Sequence, residues 1–322
     1  MAPAKIPSFD ELTLDPSGPK GNAWGLFGKD NDLGMLNLLT PEVVRAAAQE
    51  IKEGVRFSLD WELNHLHKPF YGRQTFEKSI NHKTPRVVND DILVLNTQSS
   101  TQWDGFRHYA NQSHRVFYNG VTQEKVENST AIGIDAWVKN GGIVGRGVLL
   151  DYASYAERKG IPIRAFESTV IPISAIKEVA REQNVSFRPG DILFIRCGFT
   201  AAYDKLSVDE AIALGNRPSH DFIGIESSEE TLRWLWENQF AAIASDAVAM
   251  ESSPVTGPQI PQEWSLHQWC LAGWGMPIGE MFNLEKLAEY CREKGRWTFF
   301  FSSVPLHVPG GVASPPNAVA IM

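Results

Sequence analysis

The apolar positions of this chain come in short runs set between turn residues, and the runs alternate between strand-like and helix-like spacing. Residues 142–151 carry Ile143, Val144, Val148, Leu149 and Leu150 with almost no polar interruption. A second run, 192–196, follows the turn Arg188-Pro189-Gly190-Asp191. Both read as buried strands. The same criteria predict strands at 57–63, 92–95, 170–173, 241–244, 297–304 and 318–322. Helical spacing fills the intervals. Thr40-Pro41-Glu42 supplies an N-cap threonine and a proline at the first helical position, ahead of Val43, Val44, Ala47, Ala48 and Ile51. Ser174 and Ser227 are the expected caps of two further helices, the second with Glu230 in capping-box register. Segments 207–214, 263–272 and 283–294 complete the helical set. Strands and helices mix without a strict β-α-β rhythm, which predicts an α/β fold of mixed sheets with flanking helices. Residues 1–23 are punctuated by proline and glycine and read as an N-terminal arm; residues 24–322 read as a single domain. Segment 65–89 reads as a long loop placed to cover a site.

The richest polar stretch follows the apolar run 92–95, which reads as a buried strand: Asn96-Thr97-Gln98-Ser99-Ser100-Thr101-Gln102-Trp103-Asp104-Gly105-Phe106-Arg107-His108. Gln98, Ser100, Gln102, Asp104 and His108 fall on even positions and would share one face of an extended chain. Gln98 to His108 fully extended would span roughly 33 Å, too far for one small pocket. The chain must fold back, and Asp104-Gly105 is the expected turn.

Composition narrows the function classes. Hydrophobic residues make up 43% and charged residues 21%, ordinary values for a globular protein, and the net charge is −8. Without a basic cluster there is no footprint for nucleic acid. Three widely spaced cysteines, Cys197, Cys270 and Cys291, fit neither a metal finger nor a disulfide framework and suit a reducing, cytoplasmic setting. No apolar run reaches membrane-spanning length, and the first nine residues lack a signal-peptide core, so no membrane partner is expected. The absence of Gly-x-Gly-x-x-Gly and of a phosphate loop argues against a nucleotide cofactor.

The stretch Gln98 to His108 resembles the signature His-x-Gly-Thr-His-x-Asp-x-Pro-x-His of the cyclase superfamily, which includes bacterial kynurenine formamidase and isatin hydrolase. Thr101, Asp104 and His108 agree with it, whereas Gln98 and Gln102 stand where the family has histidines. Thr-Gln-Trp-Asp-Gly followed by Tyr118-Asn119-Gly120 is similar to a longer subgroup. Asp32-Leu33-Gly34, the run 145–151, the run 190–196, His267 with Glu280, and Pro309-Gly310-Gly311 resemble further family segments in order. The resemblance implies a swivelling β/β/α fold, a homo-oligomer (dimer or tetramer), and hydrolysis of a small amide, lactam or lactone. It also implies a divalent metal, manganese or zinc, held by Asp104, His267 and Glu280, with Gln98 and Gln102 as weaker ligands. His108 would be the acid-base residue beside Asp104, and Gln98, Gln102, Trp103, Arg107 and Tyr118 would contact substrate. A carboxamide is a poor zinc ligand. Two rivals therefore stay open: a metal-independent cyclase, dehydratase or isomerase using Asp104 and His108, with Gln98 and Gln102 as hydrogen-bond donors to substrate, and a non-catalytic ligand-binding relative.

Overall fold

The structure is a computed structural model that describes residues 6–254 and 262–322. Its strands, in chain order, are β1 Arg56–Ser58, β2 Glu77–His82, β3 Asn89–Val94, β4 Gln102–Asp104, β5 Ile143–Leu150, β6 Val170–Ile171 and β7 Ile192–Ile195. There follow β8 Gly224–Ile225, β9 Ala242–Ser245, β10 Ile278–Glu280, β11 Thr298–Ser303, β12 Ala313–Ser314 and β13 Ala318–Ile321. Nine of them form one mixed sheet in the order β1-β13-β11-β5-β7-β9-β10-β4-β12. The centre, β5-β7-β9-β10, is parallel, and the flanks are antiparallel.

Parallel strands need crossover connections, and the crossover helices cover the sheet. Helices Tyr152–Lys159 and Ile173–Glu182 connect β5 to β7, and helix Glu229–Glu237 precedes β9. That cover is why β7 and β9 read as unbroken apolar runs: every residue in them is buried. Phe194 on β7 meets the rings of Phe282, Phe299 and Phe301 at centroid distances of 5.6, 5.6 and 4.9 Å. Truncating such a residue costs about 3–5 kcal/mol.

Several local expectations change. Pro172 rather than Ser174 occupies the cap position of helix Ile173–Glu182. Ser228 rather than Ser227 caps helix Glu229–Glu237, its hydroxyl accepting from Thr231 N–H, and Glu230 closes no capping box. Asp151, just after β5, caps helix Tyr152–Lys159 and pairs with Arg196 at 2.7 Å. Segment 263–272 divides into a short 3-10 turn, Gln262–Trp264, and a π-helical segment, Gln268–Trp274, with His267 at the junction.

The largest difference lies at 92–95. This apolar run is not a buried strand. Most of it belongs to β3, which pairs antiparallel only with β2 in a two-stranded ribbon whose every residue is exposed. Apolarity was legible there, but a burying partner is not supplied by the rest of the chain. Of the arm expected at 1–23, residues 1–5 lie outside the described residues. Phe9 is buried, stacked on Trp269 at 5.7 Å, and its N–H donates to the Glu237 carboxylate at 2.7 Å.

Candidate active site

Two segments distant in sequence meet as neighbouring strands. β4 runs antiparallel to β10, with Glu280 opposite Gln102 and Ile278 opposite Asp104. Alternation along β4 sends Gln102 and Asp104 to one face and Trp103 to the other. The same face receives Glu280. Both strands are wholly buried, carboxylates included. The turn expected at Asp104-Gly105 begins one residue later: Asp104 ends the strand, and His108 N–H closes on Gly105 O at 3.0 Å. Gly105 cannot be replaced freely, because a Cβ there would lie 2.6 Å from Val312 O. Thr101 locks the approach, accepting from Trp61 N–H at 2.8 Å and donating to Met281 O at 2.7 Å.

The two glutamines bind carboxylates. Gln98 Nε2 donates to Asp104 Oδ1 at 2.7 Å and to His108 Nδ1 at 2.9 Å. Gln102 Nε2 donates to Glu280 Oε2 at 2.7 Å. A carboxylate only accepts, so its neighbour fixes which end of each amide faces it. The amide donors are therefore spent on the acids, not turned toward a substrate carbonyl as an oxyanion-type donor would be. Since His108 Nδ1 accepts from Gln98, the proton of the neutral ring sits on Nε2, which faces Asp104 Oδ2 at 3.7 Å.

His267 completes the cluster. Its Nδ1 lies 2.7 Å from Glu251 Oε2, and its Nε2 lies 3.2 Å from Glu280 Oε1 and 3.8 Å from Asp104 Oδ2. Burial alone would lower the His267 pKa, but Glu251 and Glu280 outweigh it and hold the imidazole well above its usual value. Burial lowers His108 below the usual histidine range, with Asp104 opposing. Burial, joined by the charge of Asp104, pushes Glu280 up to about 7.

These groups open on a cavity of about 300 Å³. His108, His267 and Glu280 form its chemical floor; Tyr71, Arg73 and Tyr109 line it with Val248, Ala249 and Pro254. Three residues expected at the substrate stand elsewhere. Trp103 is fully buried on the back of β4, packed on Phe282 at 5.1 Å with its N–H on Ser303 Oγ at 2.9 Å. Arg107 turns away and donates to the carbonyls of Gly310, Val126 and Ser129. Tyr118 is a core residue against Phe106, 5.2 Å away. Conversely, Glu251, Tyr71, Arg73 and Tyr109 belong to the site and carried no motif. A lone acid after the apolar run Ala247-Val248-Ala249-Met250 was the one available signal for Glu251.

The donor set suits a divalent cation. Gln102 Oε1 and Asp104 Oδ2 are buried without a hydrogen-bond partner, and Glu280 Oε1 has His267 Nε2 beside it at 3.2 Å. Single ligand atoms of Asp104, His108 and His267 lie within 4.8 Å of one another. Unsatisfied buried oxygens are rare, and several aimed into one space mark the place of an ion or an ordered water. Glu251 on His267 Nδ1 is the outer carboxylate that orients a metal-binding imidazole.

Comparison with known proteins bears on the family and the fold. Residues 37–252 match the family described as Cyclase. A solved structure titled as that of a novel cyclase is 29% identical, with a TM-score of 0.80, covering 94% of this chain and 99% of its own. Isatin hydrolase A from Ralstonia solanacearum shares the fold at 13% identity and a TM-score of 0.60, covering 87% of this chain and 97% of its own. An isatin hydrolase bound to the product analogue thioisatinate does so at 12% identity and a TM-score of 0.59, covering 88% of this chain and 97% of its own. No curated protein matches. With a buried acid-imidazole cluster on a mixed α/β scaffold and a family match over residues 37–252, this chain belongs to the Cyclase family.

Proposed function

We propose that the protein is a metal-dependent hydrolase that opens or cleaves a small amide, lactam or lactone. The observation that carries this reading is the group of buried oxygens Gln102 Oε1, Asp104 Oδ2 and Glu280 Oε1 around His267, two of them without a hydrogen-bond partner, with His267 and Glu280 also lining the cavity. Asp104, Glu280 and His267 would hold the ion, with Gln102 Oε1 as a neutral fourth donor. A bound divalent ion supplies a water of lowered pKa and polarises the carbonyl under attack. Water adds to the carbonyl carbon, the C–N or C–O bond breaks, and the leaving atom takes up a proton. His108 presents the Nε2 proton for that transfer, its tautomer set by Gln98. Glu251 holds the plane of His267. Tyr71, Tyr109 and Val248 give the cavity apolar walls that hold a small organic substrate and shed water.

A second reading has its own observation. His267 lies 2.7 Å from Glu251, 3.2 Å from Glu280 and 3.8 Å from Asp104, and these carboxylates favour a positive charge on its ring. A metal-independent cyclase or dehydratase using Asp104 and His108 would rest on that charge. In either case the chain works as a cytoplasmic homo-oligomer, with ribbon β2–β3 as the surface that meets a second copy. Ile80 and Leu93 on one face of the ribbon and Ile92 and Val94 on the other are exposed in a single chain.

The test is elemental analysis of protein purified without chelator, alongside hydrolysis of a panel of lactams, lactones and aryl amides. About one divalent ion per chain, and activity lost on chelation and restored by manganese or zinc, is the expected result. Turnover by metal-free protein would overturn the hydrolase reading in favour of the second.

A further inference from the structure

Arg73 is a half-buried cation on the cavity wall with most of its hydrogen-bonding capacity unused. A guanidinium carries five N–H donors. One nitrogen, Nη1, donates to Gln98 O at 2.7 Å, and the Tyr71 ring lies under the group at 5.2 Å. Among the described residues no carboxylate pairs with it, although Arg146, Arg196, Arg233 and Arg296 each engage an acid at 2.5–2.7 Å. Tyr71 and Gly72 both adopt left-handed conformations, φ 58° and 67°, in the residues just before Arg73. For tyrosine that conformation is costly, and such strain persists where the surroundings enforce it.

The cavity is lined by three kinds of group: His108, His267 and Glu280 at the reactive cluster, the planar cation of Arg73, and the walls formed by Tyr71, Tyr109, Val248 and Pro254. The Arg73 charge acts on Glu280 and His108. A planar guanidinium with free parallel donors is the natural partner of a carboxylate, which it binds through two hydrogen bonds. We infer that Arg73 is a specificity-determining residue: it clamps a carboxylate carried by the substrate, away from the bond that is broken. The substrate class is an aryl or similarly flat amide, lactam or lactone bearing a carboxylate arm. This rests on the hydrolase reading for the scissile bond only; the anion clamp stands on Arg73 itself.

Benzoate and benzamide test it, because they share a ring and nearly a volume and differ in charge. Isothermal titration of the protein as purified should show benzoate binding at least tenfold more tightly than benzamide. Arg73→Ala should abolish that preference while leaving benzamide binding within twofold, and Arg73→Lys should restore only part of it. Equal binding of the two probes to the unaltered protein would overturn the inference. So would a preference that survives in Arg73→Ala, since the carboxylate would then sit at the floor. The titration involves no turnover, so absence of hydrolysis or of bound metal leaves its outcome readable.

Discussion

The pairs β4–β10 and β2–β3 share antiparallel geometry and have opposite surroundings. β4–β10 is three residues long on each strand, entirely buried, and carries Gln102, Asp104 and Glu280. β2–β3 is six residues long on each strand, entirely exposed, and carries Ile80, Ile92, Leu93 and Val94. Each reverses the ordinary partition, in which acids face water and aliphatic groups face the core. The reversal means something different in each place. A buried acid without a full set of partners is stabilised by whatever cation or proton it is built to hold. An exposed aliphatic ribbon is stabilised by whatever surface covers it, because a two-stranded ribbon alone is marginal in water.

Neutralising the buried member of this contrast should have the largest effect. Asp104→Asn is expected to lower turnover by on the order of a thousandfold while the melting temperature stays within about 4 °C. A collapse of the fold, seen by circular dichroism, would make Asp104 structural instead. One shell further out, Glu251→Gln keeps the volume and removes the charge behind His267. Metal affinity, read by competition with a chromogenic chelator, should fall about 10- to 100-fold. Unchanged affinity would detach Glu251 from the ion.

On the exposed ribbon, the double variant Ile80→Asp, Ile92→Lys should weaken self-association at least about tenfold, a loss of about 1.4 kcal/mol, with the far-ultraviolet spectrum unchanged. Sedimentation velocity at several concentrations checks it, and an unaltered distribution would place the interface elsewhere. The back of β4 gives the smallest effect on chemistry. Ser303→Ala strands the Trp103 N–H in the core, so urea unfolding should report a loss of about 1–3 kcal/mol with kcat/KM unchanged. A fall in activity would show that the two faces of β4 are not independent.

Period-two alternation made much of the site legible. Gln102 and Asp104 share the reactive face because β4 is a strand, and the same parity put Trp103 on the opposite face, so its place in the core was written into the pattern beside theirs. Glu280 and His267 became legible through the resemblance, which ordered them without giving distance. Arg73 and Tyr71 were beyond reach, because a loop's course follows from packing and two left-handed residues rather than from periodicity. Glu251 follows β9 in irregular chain, where no spacing rule assigns a direction. The fold was legible where apolar runs were long, in β5 and β7. It was misjudged at 92–95, where hydrophobicity reports a need for cover and not its source.

The ribbon β2–β3 leaves the body just after Arg73 and returns just before Gln98, and those two residues are tied by one hydrogen bond across its base. Whatever grips the tip therefore sets the posture of both. If a second copy grips the tip as proposed, diluting the protein below the dissociation constant of that contact would loosen the guanidinium and the amide together, and specific activity would decline on dilution.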